Sequence, residues 1–222
     1  MEKLIKKEND IFEILQKFTD EKLEFIVVGG YAVSSFKHRF SVDADIVIQN
    51  KDVEKFETIL KKQGFKQTIS KELENIYSSK FMRYDKNTAS IDIMIDALAS
   101  RKTDASFSYD LLLKNSSKRK IIGIEKEVDA MVPSREMLII TKIHSGRLTD
   151  FRDIAALAKD SDLDLIKRML FVGNMADLNK HLKELNRVVN DPKFKDSFKG
   201  VFIEKKFDID FGKVKKISEL SK

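Results

Sequence analysis

One stretch constrains this chain more than any other: Phe25 to Ile48, FIVVGGYAVSSFKHRFSVDADIVI. It opens with Phe25-Ile26-Val27-Val28, a short β-branched apolar run of the kind that forms a buried strand. Gly29-Gly30 ends the run, and Tyr31 to Lys37 reads as a short helix. Glycine permits a sharp turn and leaves backbone N–H groups open at a helix N-terminus, where a phosphate is favoured. A second strand, Ala44 to Ile48, carries Asp43-Ala44-Asp45 at its start. Side chains alternate along a strand, so Asp43 and Asp45 point to the same side. Two neighbouring carboxylates repel each other, and a divalent cation is the usual partner that stabilises such a pair.

A third carboxylate is offered further on, in Ser90-Ile91-Asp92-Ile93-Met94-Ile95-Asp96. As a strand, this segment puts Ile91, Ile93 and Ile95 on one face and Asp92, Met94 and Asp96 on the other. Asp92, between two isoleucines, fits the inside of an apolar strand better than Asp96 at its end, and both stay candidates. Lys80 to Tyr84 is a partner strand, joined to Ala89–Ile95 through the turn-like Asp85-Lys86-Asn87.

Around this centre, residues 3–19 read as an amphipathic helix, with Leu4, Ile11, Leu15 and Phe18 near helical spacing. Asp52 to Gln63 reads as another helix, stopped by Gly64. Phe65 to Ser70 is expected to be a short strand, residues 97–117 a loop with a short helix, and Lys120–Ile124 with Lys126–Ala130 a hairpin. Ser134 is expected to cap a helix, and from there the pattern is helical: 137–144, 151–158, 163–171 and 176–189, then shorter pieces at 194–203 and 211–220. The expected division is an α+β domain over 1–132 and a helical domain over 133–222.

Composition excludes more than it selects. The chain lacks cysteine, so disulfides and Cys-ligated zinc or iron–sulfur sites are ruled out. Its three histidines, His38, His144 and His181, are too scattered for a metal-ligand pattern. The charged amino terminus and the lack of an 18-residue apolar run argue against a signal peptide or membrane span, which makes the cytoplasm the simplest location. The formal net charge of +6 permits a polyanionic partner such as RNA and fits a solvated charged surface equally well.

A strand, Gly-Gly, a helix and then Asp-x-Asp, with a third Asp on a later strand, resembles the DNA polymerase β-like nucleotidyltransferase superfamily. The resemblance implies an α+β fold with a mixed, largely antiparallel sheet flanked by helices, followed by a helical domain. It implies Mg²⁺-dependent transfer of a nucleoside monophosphate from an NTP to an acceptor hydroxyl. Asp43, Asp45 and Asp92 become the catalytic residues and the ligands of two ions, with Mn²⁺ as a substitute for Mg²⁺. Gly29, Gly30, Arg39 and Ser41, in the Gly-Gly turn and in His38-Arg39-Phe40-Ser41-Val42-Asp43, become nucleotide contacts.

A second signature, Pro133 to Lys142 followed by Arg147-Leu148-Thr149-Asp150-Phe151-Arg152-Asp153-Ile154, is similar to the nucleotidyltransferase toxins of abortive-infection (type IV) toxin–antitoxin systems. Lys142, Arg147, Asp150 and Asp153 match, and Thr149 stands where a lysine is usual. This implies that Lys142 reaches the nucleotide phosphates and that Asp150 supports the site, although Asp150 equally fits as the N-cap of the next helix. It also implies a tRNA 3′ end as acceptor and an antitoxin protein as partner. The alternative is a nucleotide-binding module that no longer catalyses and acts through a partner protein.

Overall fold

A computed structural model of the chain describes residues 2–72, 80–198, 202 and 208–220. The central apolar run forms the strand β1 (Ile26–Val28) of a seven-stranded sheet. Ahead of it lies α1 (Glu2–Asp20), and after it come α2 (Gly29–Ser34) and β2 (Ala44–Ile48). A 3-10 turn, Asn50–Asp52, leads into α3 (Val53–Lys62). The strands β3 (Lys66–Glu72), β4 (Lys80–Lys86) and β5 (Ala89–Ile95) follow. Two short strands, β6 (Ala97–Ala99) and β7 (Ser106–Ser108), precede α4 (Tyr109–Lys114) and the hairpin of β8 (Ser116–Ile122) and β9 (Glu127–Pro133).

The sheet order is β3-β4-β5-β2-β1-β9-β8. β2 runs parallel to β5 and β1 parallel to β9, and the other neighbours are antiparallel. This is the mixed, mostly antiparallel α+β arrangement that the family resemblance implies.

The chain divides into two units, Met1–Leu98 with Phe107–Pro133 and Ala99–Ser106 with Ser134–Lys222. In the first, α1 lays Ile11, Phe12, Ile14, Leu15 and Phe18 into the core, at helical spacing. Phe18 meets Phe25 and Phe56 edge to face, with ring centroids 5.7 and 4.7 Å apart, which is the arrangement aromatic quadrupoles prefer. Leu4 departs from the expected stripe. It is 48% exposed, because the first turns of α1 bury nothing before Glu8.

The second unit is built on α5 (Arg135–Ser145), which packs against α6 (Leu148–Leu157), α7 (Leu163–Leu170) and α8 (Met175–Val189), while α9 (Phe211–Ser218) packs on α8. Ser134 caps α5, its Oγ accepting from the Met137 N–H at 3.3 Å. Gly146 ends α5 with φ +60°, a left-handed turn that suits glycine. Of the helix expected over 194–203, the described part is a 3-10 helix, Pro192–Phe198. The rest, apart from Phe202, lies outside the described residues.

His144, on α5, is fully buried in this unit. Its Nε2–H donates to the Leu170 carbonyl at 3.0 Å, so Nδ1 accepts from the Thr103 hydroxyl at 2.8 Å. Burial pushes the imidazole down to about 4 from an ordinary 6.5, and the neighbouring His181 works in the same direction. Between those two values the unfolded chain binds a proton that the folded chain does not, so stability falls as pH drops from 6.5 towards 4. The full loss is about 3 kcal/mol. Urea unfolding at pH 4 and pH 7 is expected to give that difference between wild type and His144→Gln, and parallel pH curves for the two would count against it.

Candidate active site

The Gly-Gly pair has a steric reason in each position. Gly29 holds φ +64°, and a Cβ there would stand 2.0 Å from Oδ2 of Asp45. Both the dihedral and the closeness of the carboxylate demand glycine. At Gly30 a Cβ would stand 2.3 Å from Oγ of Ser41 and 3.4 Å from Nη2 of Arg39. The Asp45 carboxylate, the Ser41 hydroxyl and the Arg39 guanidinium therefore lie against the bare backbone that starts α2.

The loop between α2 and β2 is tied down from below. Tyr31 is fully buried, and its hydroxyl donates to the Ser41 carbonyl at 3.0 Å. Burial pushes that phenol far above its ordinary value, so it stays a donor. Arg39 Nε donates to the Phe40 carbonyl at 3.2 Å.

Sheet register brings the acidic residues together. Val28 pairs with Asp45, Asp45 with Asp92 and Asp92 with Arg83, so one row crosses β1, β2, β5 and β4. Directly opposed residues project to one face, which places Asp45, Asp92 and Arg83 side by side. Asp43 precedes β2 by one residue, and its Oδ2 is 3.7 Å from Nη2 of Arg83.

Asp92 is the candidate that lies beside Asp45. Asp96 has left the strand with φ +65°, and its Oδ1 accepts from the Asn50 N–H at 2.8 Å, just beyond the end of β2.

Arg83 carries no family signature in the sequence. Its Nε and Nη2 donate to Oδ1 and Oδ2 of Asp92, both at 2.6 Å, in a planar two-point fork. Burial pushes the Asp92 carboxyl up and the fork works against that shift. The same hydrogen bond raises the guanidinium, and the two-point geometry is that of an ion pair. The signal for Arg83 lay in the hairpin. A two-residue turn at Asn87-Thr88, with Asn87 at φ +54°, sets Lys86 opposite Ala89 and hence Arg83 opposite Asp92.

Lys142 and Asp150 belong to the second unit, with side chains 7% and 1% exposed. Lys142 Nζ lies 3.1 Å from Oδ1 of Asp150 and 2.8 Å from Oδ2 of Asp153. Asp150 is the third residue of α6 and not its N-cap. Its carboxylate accepts from the Arg147 N–H at 3.1 Å and from Arg147 Nε at 2.7 Å. Burial alone would push Asp150 up, but Lys142 and Arg147 outweigh it and bring the carboxyl down to about 2.

The donor chemistry fits a divalent cation in part. Asp43 and Asp45 are oxygen ligands of the kind Mg²⁺ prefers, with phosphate and water oxygens completing the shell. Both oxygens of Asp92 already accept from Arg83. Among the described residues no three His, Cys, Asp or Glu side chains converge as a ready-made metal cage.

Residues 2–199 match the sequence profile of the family described as nucleotidyltransferase of unknown function (DUF6036). The chain belongs to this nucleotidyltransferase family. A sequence search among proteins of curated function finds no match. The chain is similar to solved structures at low identity. The antibiotic-resistance factor ANT(2'')-Ia is 13% identical, with 81% of this chain and 94% of that chain covered and a TM-score of 0.54. JHP933 from Helicobacter pylori is 15% identical, with 99% and 92% covered and a TM-score of 0.50. The lincosamide antibiotic adenylyltransferase LnuA, lincomycin-bound, is 19% identical, with 69% and 98% covered and a TM-score of 0.49. No helix among the described residues of this nucleotidyltransferase is long and apolar enough to cross a membrane.

Proposed function

We propose that this transferase moves a nucleoside monophosphate from an NTP to an acceptor hydroxyl, with Mg²⁺ as the working ion. The observation that carries the reading is the row Asp45–Asp92, with Asp43 two residues before Asp45, set against the bare backbone of Gly29-Gly30. The acceptor oxygen bonds to the α-phosphorus, the bond from that phosphorus to the bridging oxygen of the β-phosphate breaks, and pyrophosphate leaves with the electron pair. Asp92 takes the acceptor's proton. Gly29 and Gly30 let the phosphates approach the chain, and Arg39 and Ser41 meet them as donors. Asp43 and Asp45 would hold the ion, which would supply neutralisation of charge on the phosphates.

The acceptor we favour is an RNA 3′ end, in keeping with the toxin-like signature from Pro133 to Ile154 and the net charge of +6. A small-molecule hydroxyl is the second acceptor, since a neighbour in fold is an antibiotic-resistance factor. In the toxin reading, an antitoxin partner neutralises the protein, and a growth defect on expression depends on Asp45.

Incubation with each α-labelled NTP, Mg²⁺ and total RNA tests this, beside Asp43→Asn. Label is expected on RNA with the wild type, and at least about a hundredfold less with the variant, through lost charge neutralisation at the transition state. Equal labelling by Asp43→Asn would sink the proposal. Nucleotide binding without a labelled product on RNA or on small hydroxyl compounds would favour a non-catalytic binding module.

A further inference from the structure

We propose that Arg83 stands in for a second cation, so that this site takes one divalent ion, held by Asp43 and Asp45, and not two. The inference rests on the reading of the site as a metal-dependent transferase centre, and it concerns how that centre is charged.

The placement of Arg83 is fixed by the backbone. The Asn87-Thr88 turn sets the β4–β5 register, and that register puts Arg83 opposite Asp92, next to the strand that carries Asp45. The guanidinium then covers both oxygens of Asp92 at 2.6 Å and reaches towards Asp43 at 3.7 Å. It spans two of the three carboxylates, as a second ion bridging them would have to.

Arginine keeps its charge at any ordinary pH and offers a fork that matches a carboxylate edge. A Mg²⁺ ion on Asp92 would need one of its oxygens at about 2.0–2.1 Å. Each of those oxygens faces an N–H, and the incoming ion would meet a positive group behind it. The Arg83 side chain is 33% exposed and that of Asp92 only 9%, so solvent reaches the guanidinium more readily than the acid it covers. The charge of Asp92 is thereby balanced before any ion arrives.

Paramagnetic resonance of Mn²⁺ on the full chain tests this, using an equimolar mixture of the four α,β-methylene nucleoside triphosphates. Two ions about 3.5–4 Å apart couple magnetically, whereas one gives an uncoupled signal. The wild type is expected to bind one Mn²⁺ per chain with an uncoupled signal. Arg83→Met is expected to bind two, coupled, and to return to one when Asp92→Asn is added. Mn²⁺ is also expected to raise the melting temperature of Arg83→Met by about 3–5 °C more than that of the wild type, since the ion restores the missing charge. A purely structural Arg83 would lower the melting temperature equally with and without Mn²⁺.

A coupled pair in the wild type overturns the proposal even if Arg83→Met fails to fold, and so does a single ion on folded Arg83→Met. In both cases the transferase reading stands, provided Asp43→Asn loses ion binding at least about tenfold. Binding that ignores Asp43→Asn overturns both.

Discussion

Gly29→Ala is expected to cost about 2–4 kcal/mol of folding stability and at least about a hundredfold in transfer activity. Two effects combine. The residue holds φ +64°, where a side chain costs roughly 1–2 kcal/mol. Its Cβ would also meet Oδ2 of Asp45 at 2.0 Å, so the carboxylate or the start of α2 has to move. A shift of that size displaces an ion ligand, and alignment within a site is worth orders of magnitude in rate.

Gly64 provides the control. It holds φ +82° with nothing within 4 Å of a built Cβ, so Gly64→Ala carries the dihedral cost alone. Urea unfolding and label transfer on both variants separate the terms. Gly64→Ala is expected to lose about 1 kcal/mol and keep its activity. If Gly29→Ala behaved the same way, the close approach of Asp45 to the Gly-Gly turn would not matter to the site.

Lys142→Met is expected to cost about 3–5 kcal/mol, the usual result of removing one partner from a buried ion cluster. The ammonium lies between Asp150 and Asp153, at 3.1 and 2.8 Å, and their side chains are 1% and 0% exposed. Arg147 still reaches Asp150 at 2.7 Å. Lys142→Met with Asp153→Asn is expected to recover at least about half of the loss, because the cluster then carries one buried negative charge fewer.

The same cluster governs acid behaviour. Asp150 is held at about 2, below its unfolded value, so its contribution is complete near neutral pH and drains away as pH falls through 4 towards 2. Lys142→Met should flatten that acid limb. A nucleotide role for Lys142 has a different signature. It predicts a raised KM for the NTP that the added Asp153→Asn does not repair. If the double variant regains both stability and wild-type KM, Lys142 acts by holding α5 to α6.

How far the sequence reaches is clear from particular residues. The Asp45 environment was legible, because Ile26-Val27-Val28 and Ala44 to Ile48 can hardly be other than buried strands, and Gly-Gly between them signals a backbone that other groups approach. Preference for Asp92 over Asp96 followed from flanking isoleucines, and the register then put Asp92 beside Asp45.

Arg83 was not legible from motif or composition, since its meaning lies in the residue across the strand. Counting outward from the two-residue turn at Asn87-Thr88 would have found it, but the position of that turn is uncertain from sequence by a residue or two, and one residue of slip turns Arg83 to the other face. Lys142 shows the opposite limit. Its spacing to Asp150 and Asp153 stands in the sequence, yet spacing does not say whether a lysine faces a ligand or its own acids. Leu4 had the right period and is left exposed.

The segment Ala99–Ser106 sets a condition on how this chain can be made and cut. It belongs with the helices after Ser134, where the Thr103 hydroxyl meets His144 and the Thr103 carbonyl accepts from the Asn174 N–H at 2.5 Å. During synthesis from the amino terminus, these residues emerge long before α5 and α8 and wait without their partners until the C-terminal half has followed. A gene truncated after Pro133 leaves the same segment stranded, and a fragment starting at Ser134 lacks the hydroxyl that satisfies a buried imidazole. The two units are therefore spliced through each other in chain order, and neither can be excised with a single cut.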